Sequence, residues 1–194
     1  LARSAVAEDT PLGVHRLLFV KATSKSYELW EITGSGATLN RLVSVPLGEF
    51  HGHMSAMAVS PDGQRVAISG EDRVAIHHLS TGKTRWVPAQ VCAEGMAYRR
   101  DGTLFFSNGS QLSSLSPGAE APTRLWPTRN GSLDLQPRPT TEGRFLLFLS
   151  RTTQSPIGEW RLWRAGRTGK PRRLTPEDRR PFDVVPYGDG AIYG

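Results

Sequence analysis

The stretch AVSPDGQRVAISGEDRVAIHHLSTGKTRWV, residues 58–87, decides how the chain is read. Asp62-Gly63 separates an apolar run at 54–59 from a second at 65–69, where Val66 and Ile68 alternate with other residues. Gly70-Glu71-Asp72 breaks the chain again before 73–79, and Thr81-Gly82 turns it into 84–87. Two-residue alternation interrupted by Gly-containing pairs is the pattern of antiparallel hairpins. The stretch therefore reads as four short strands.

The same unit recurs. Acidic-Gly pairs stand at Asp62-Gly63, Asp101-Gly102, Glu142-Gly143 and Asp189-Gly190, with steps of 39, 41 and 47 residues between the glycines. An arginine followed by Leu or Trp closes each unit at Arg41, Arg85, Arg124 and Arg173, with steps of 44, 39 and 49. Strands are expected at 95–99, 103–107, 111–116 and 123–126 in the third unit, where Asn108-Gly109 is a strong hairpin turn. The fourth unit reads as 133–138, 144–150, 160–165 and 171–175, with a long loop at 151–159. The first shows 14–21, 27–32 and 39–45 but no clear opening strand, and FDVVPYGDGAIYG restarts the pattern after Arg180.

Four-stranded units of about 40–45 residues are the blades of a β-propeller, because one blade cannot bury both its faces and must stack on others. The expected fold is all-β, with blades near 14–45, 54–87, 92–126 and 132–176 and the start of another at 181–194, in one domain or part of one. Ring closure usually pairs strands from both ends of a chain. Here that would need 182–193 beside 14–21, so an incomplete or partner-completed propeller is the expectation.

Composition agrees. The 194 residues contain 38% hydrophobic and 22% charged side chains, too many of the former for a disordered tail and too evenly mixed for a membrane protein. No apolar run approaches the roughly 18 residues of a bilayer-spanning helix. The 20 glycines and 14 prolines favour turns and short elements. A formal charge of +6 suits an anionic partner, although arginines spread along the whole chain. One cysteine, Cys92, precludes an internal disulfide, and a small apolar core role is expected for it. Ala5-Val6-Ala7 has the small-residue character of a secretory cleavage site, which suggests a processed N-terminus.

SPDG followed by RVAIS, and LFLS with EWRLWRAGRTGKPRRLTP, resemble the TolB-like repeat of WD-type β-propellers. In that repeat SPDG, an apolar strand, an aromatic-containing strand and a Gly turn lead to RLT. The resemblance runs from about Val14 onward and is best at Ser60-Pro61-Asp62-Gly63 and Arg173-Leu174-Thr175. The third unit has Arg99-Arg100-Asp101-Gly102 and the fourth Thr140-Thr141-Glu142-Gly143 instead. The resemblance implies a non-catalytic protein-binding scaffold of a bacterial cell-envelope assembly, in the periplasm. Similar propellers also precede the catalytic domain of prolyl-oligopeptidase-type peptidases, and a sensor propeller of a membrane-anchored regulator is a third option.

Candidate chemistry is sparse. Gly82-Lys83-Thr84 matches the tail of a phosphate-binding loop, but position 77 is His where that loop needs Gly, and a strand follows where it needs a helix. The motif recurs at Thr168-Gly169-Lys170, which suits a hairpin turn. His51 and His53 could share one face of an extended segment as metal ligands, and His77-His78 invites the same thought, but no carboxylate or thiol cluster accompanies either pair. A GxSxG elbow is absent from the sequence. No catalytic, cofactor or metal residues are assigned.

The densest charge is the run from Arg161 to Arg180, whose eight basic residues face only Glu177 and Asp178. A solvated rim is the plain reading. A partner site is the sharper one, carried by Arg164, Arg167, Lys170, Arg172, Arg179 and Arg180 against an acidic protein surface. Nucleic-acid binding is not expected, because Trp160 and Trp163 fall in a strand where packing between blades is the simpler role.

Overall fold

In a computed structural model, the acidic-Gly turns are one device built three times. The Gly63, Gly102 and Gly143 amides donate to the carbonyls of Ser60, Arg99 and Thr140, each at 2.8 Å. All three glycines have left-handed φ (65°, 81° and 68°), a region that side chains with a Cβ adopt poorly. The Ser60 hydroxyl accepts from the Arg65 amide at 2.9 Å, and Thr140 does the same for Phe145 at 3.3 Å. Threonine thus replaces serine without losing the bond. The Gly102 turn closes one residue sooner, Arg99 pairing with Thr103 rather than a residue five positions on, and Asp101 Oδ1 accepts from the Thr103 amide instead.

The structure describes residues 4–6, 16–23, 25–33, 38–46, 56–70, 72–89, 91–126, 131–152, 160–166, 170–175, 184–187 and 190–193. These residues are all-β. The first sheet holds β1 (Ser4–Val6), β2 (Arg16–Ala22), β3 (Ser26–Thr33) and β4 (Thr38–Pro46). The second holds β5 (Ala56–Val59), β6 (Arg65–Ser69), β7 (Arg73–His78) and β8 (Thr84–Pro88). The third holds β9 (Val91–Tyr98), β10 (Leu104–Asn108), β11 (Gln111–Leu115) and β12 (Thr123–Arg124). The fourth holds β13 (Ser132–Pro139), β14 (Phe145–Thr152), β15 (Arg161–Gly166) and β16 (Arg172–Arg173). A two-stranded sheet, β17 (Val184–Tyr187) and β18 (Gly190–Tyr193), follows. Every pairing is antiparallel between chain neighbours, and the first strands line up, β5 beside β9, β9 beside β13 and β13 beside β17. This is a partial β-propeller.

Two expectations are corrected. The first sheet does have an opening strand: Ser4, Ala5 and Val6 pair with Phe19, Leu18 and Leu17. Three residues without an acidic-Gly marker left no periodic trace in the sequence. That strand occupies the place 182–193 would need for closure, and among the described residues β17 and β18 pair only with each other. Cys92 lies within β9 rather than ahead of the third unit's first strand.

Stacking buries both faces of the central strands. In β6, Val66 and Ile68 face the first sheet, joining Leu18, Val20 and Leu29, while Ala67 faces the third with Met96, Leu104 and Phe106. In β10 and β14, Phe105 and Phe148 meet between the third and fourth sheets. The alternation in the sequence therefore marks which neighbour a side chain meets, not inside against outside.

Candidate functional site

The β5–β6, β7–β8, β9–β10 and β11–β12 turns all emerge at one end of the stack, and cation chemistry is concentrated there. Two of the turn carboxylates, Asp62 and Asp101, are consumed locally, while Glu142 is exposed. Asp62 accepts from the Ser60 hydroxyl and the Gln64 amide and pairs with Arg65 at 3.5 Å. Burial opposes it, but those bonds hold its carboxyl below the usual range. The Arg99 guanidinium hydrogen-bonds Asp101 and, with the Thr103 amide, holds that carboxyl far below an ordinary aspartate. Beside these locked acids, Lys83 and Arg100 stand exposed.

Register then builds a cleft between the second and third sheets at this end. On the second sheet Arg65 lies opposite His78, whose amide donates to the Lys83 carbonyl at 2.8 Å. One step inward, Ala67 lies opposite Ile76 and Ile76 opposite Arg85. On the third sheet Leu104 sits between Tyr98 and Leu115. Arg65, Lys83 and Arg85 line a cleft of about 430 Å³ here, backed by the nearly sealed Leu104 and Leu115. Two arginines bridge the gap. The Arg65 guanidinium lies 5.7 Å from the Tyr98 ring centre, and Arg85 Nη1 donates to the Ala119 carbonyl at 2.8 Å.

Arg164 is inside β15, within the strand expected at 160–165; its guanidinium lies 4.4 Å from the Phe145 ring centre, and across the ladder it faces Leu147 and Arg172. Arg172, in β16, and Lys170, beyond the end of β15, are exposed. Arg167, Arg179 and Arg180 lie outside the described residues, as do His51, His53, Thr168, Gly169 and Asp189. The Gly82-Lys83-Thr84 segment is the β7–β8 hairpin turn, with the Gly82 amide donating to the His78 carbonyl at 2.9 Å. His77 is buried with Nδ1 3.0 Å from Thr84 Oγ1, and burial followed by the His78 charge pushes its pKa down. His78, next in the strand, instead meets the Ser80 hydroxyl at 3.2 Å. Among the described residues no three His, Cys, Asp or Glu side chains converge on one point. No described helix is long and apolar enough to cross a membrane.

Sequence reading missed Arg65, Lys83, Arg85 and Tyr98 as a group. Each flanks a turn in its own unit, and only the inter-sheet distance brings the units together.

No protein-family model and no curated protein matches this chain in sequence. Solved structures do resemble it. A protein of Agrobacterium tumefaciens assigned as TolB superposes with a TM-score of 0.63 at 15% identity, covering 82% of this chain and 61% of its own. XC5397 of Xanthomonas campestris, a gluconolactonase, gives 0.53 at 15%, covering 75% and 52%. The Pyrococcus horikoshii acylaminoacyl peptidase gives 0.50 at 11%, covering 90% and 33%. At such identities the likeness is one of fold, and the chain spans between a third and about three-fifths of the length of these proteins.

Proposed function

We propose that this chain is a non-catalytic, TolB-like scaffold that holds an acidic protein partner at its turn-bearing end, in a bacterial cell-envelope assembly. One observation carries the reading. The turn acids Asp62 and Asp101 are tied to their own loops, while Lys83, Arg100, Lys170 and Arg172 are exposed. With Asp62 and Asp101 paired, these four cations outnumber the exposed Glu120 and Glu142 at the same end, and the positive excess speeds encounter with an acidic surface. The likeness to the Agrobacterium protein, in coverage and TM-score, supports the cell-envelope and periplasmic setting.

The test is co-purification of the full-length protein from its native envelope, followed by binding kinetics with the purified partner. Association should slow as salt rises past about 0.15 M, where screening shortens to about 8 Å. Charge reversal at Arg100, Lys170 and Arg172 should slow it further and flatten the salt dependence. Wild-type association in that variant across the salt range would sink the proposal.

A second reading has its own support, because the peptidase propeller covers 90% of this chain. On that reading the chain is the propeller portion of a prolyl-oligopeptidase-type enzyme. Labelling of the full-length protein by a fluorophosphonate serine-hydrolase probe would favour it over the scaffold.

A further inference from the structure

We infer that the outer face of the first sheet, the one turned away from the second, docks a second copy of this chain, sheet on sheet about a twofold axis. It stands whether or not the turn-bearing end also holds an acidic protein. The observation is a burial pattern that sets the first sheet apart. In β6, β10 and β14 consecutive residues are sealed on both faces, as are Val66, Ala67 and Ile68, or Leu147 and Phe148. In β2 burial alternates instead, and β3 carries the alternation on through Leu29, Trp30, Glu31 and Ile32. Leu18, Val20, Tyr27 and Leu29 are sealed against the second sheet. Leu17, Phe19, Trp30 and Ile32 point the other way and are half-buried. Among the described residues, these four stand outside the hydrophobic clusters that join one sheet to the next.

Register arranges that face in rows. Leu17 lies opposite Ile32, and Ile32 opposite Leu39, which is 55% exposed. The next row is Phe19, Trp30 and Arg41, and the third is Lys21, Glu28 and Ser44. The face thus grades along its strands from aliphatic through aromatic to charged. The Glu28 carboxylate accepts from Trp30 Nε1 at 3.0 Å and from Arg41 Nη1 at 3.2 Å. Two carboxylate oxygens offer about four acceptor sites, so Glu28 has room for another cation. Contiguous apolar surface rimmed by such groups marks an interaction site.

The face is complementary to itself, which selects a second copy as its occupant. A twofold axis along the strands, between β2 and β3, exchanges those two strands. It sets Leu17 over the other copy's Ile32, Phe19 over its Trp30 and Lys21 over its Glu28. Each apolar residue meets an apolar one, each charge meets its opposite, and every contact is made twice. Sheets packed face to face lie about 10 Å apart with strands about 30° from parallel, a small enough rotation to keep these pairs together. An axis across the strands would instead lay the aliphatic row on the charged one. Three rows on four strands cover roughly 20 by 20 Å, the small end of specific interfaces, so the dimer is reversible.

Sedimentation velocity of the full-length protein, from about 2 to about 200 µM, tests this; a monomer–dimer equilibrium with Kd of about 10–100 µM is expected. Lys21→Glu, at an exposed position, brings like charges together across the axis. It should weaken the dimer about tenfold at low salt and less at high salt. Leu39→Glu puts a charge in the aliphatic row and should also weaken it about tenfold. Both variants should keep a Tm within a few degrees of wild type, since both positions are exposed. A monomer at every concentration, as a further blade of the same chain on this face would give, overturns the proposal. Assemblies larger than a dimer, or a dimer that neither substitution weakens, overturn it as well.

Discussion

The second and third sheets meet through alanines, and the third and fourth meet through aromatic rings. At the first interface Ala56, Ala58, Ala67 and Ala89 face Met96, Leu104 and Phe106, and Arg65 and Arg85 reach across the remaining gap. At the second, Phe105 and Phe148 are joined by Trp126 and Trp163, with the Trp126 and Phe148 rings 5.1 Å apart. Both interfaces come from the same repeating unit with the same turns. The alanine cluster is itself closed, and the cleft opens beyond it, lined by Arg65, Arg85 and the turns rather than by these alanines. The repeat sets the fold, and what each interface is packed with differs from one pair of blades to the next.

The sharpest way to break this contrast is to empty the aromatic interface. Phe148 is fully buried in β14, and Phe148→Ala should destabilise by about 3–5 kcal/mol, since the rings around it have nowhere to collapse. Ile76→Ala, on the wall of the existing cleft, should cost less than half as much, because Ile76 is only partly buried there. Urea denaturation of both variants measures the difference. Similar losses would mean that the two interfaces are equally packed and that the cleft closes in solution.

The arginine bridge is tested at the turns. A Cβ on Gly63 meets nothing within 4 Å, so Gly63→Val should lose about 1 kcal/mol, from left-handed φ alone. A Cβ on Gly102 lies 2.7 Å from Arg65 Nη2 and 3.3 Å from Pro117 Cγ, so Gly102→Val must also displace the bridge. About 2–3 kcal/mol is expected there. Equal denaturation midpoints for the two variants would show that Arg65 moves aside freely and holds nothing.

What the sequence discloses follows the range of the forces involved. The acidic-Gly turns were legible because a left-handed glycine and an Asx or hydroxyl bond are settled within six residues. The strands of the second unit were legible for the same reason, and Arg65–Ser69 falls where alternation placed it. Ser4–Val6 was not, because a three-residue strand gains its identity only by pairing with Leu17, Leu18 and Phe19. Arg164 falls inside the strand expected at 160–165, but membership of a basic run says nothing of what it stacks on. Its place is decided by cross-strand contact with Phe145, which a charge count does not register. The cleft depends on residues about 33 positions apart, such as Arg65 and Tyr98, and on the volumes between them. No local pattern encodes that distance.

The smallest effects separate arginines that hold structure from arginines that only carry charge. Arg164 and Arg172 lie directly opposite each other on neighbouring strands, so their charges repel. Arg164 is half-buried and stacked on Phe145, whereas Arg172 is exposed. Arg164→Ala should therefore lose about 0.5–1 kcal/mol, the worth of a partly exposed cation–π contact. Arg172→Ala should fall within about 0.5 kcal/mol of wild type, and relief of repulsion should offset whatever packing it loses. Denaturant unfolding of each variant and of the pair at low and high salt resolves the two roles. Salt should narrow the benefit of removing Arg172 and leave the Arg164 loss in place, because screening weakens exposed charge repulsion more than a stacked contact. If the two single variants lose the same stability at both salt concentrations, the stack on Phe145 carries no weight, and Arg164 belongs with Lys170 and Arg172 among the solvated charges of the rim.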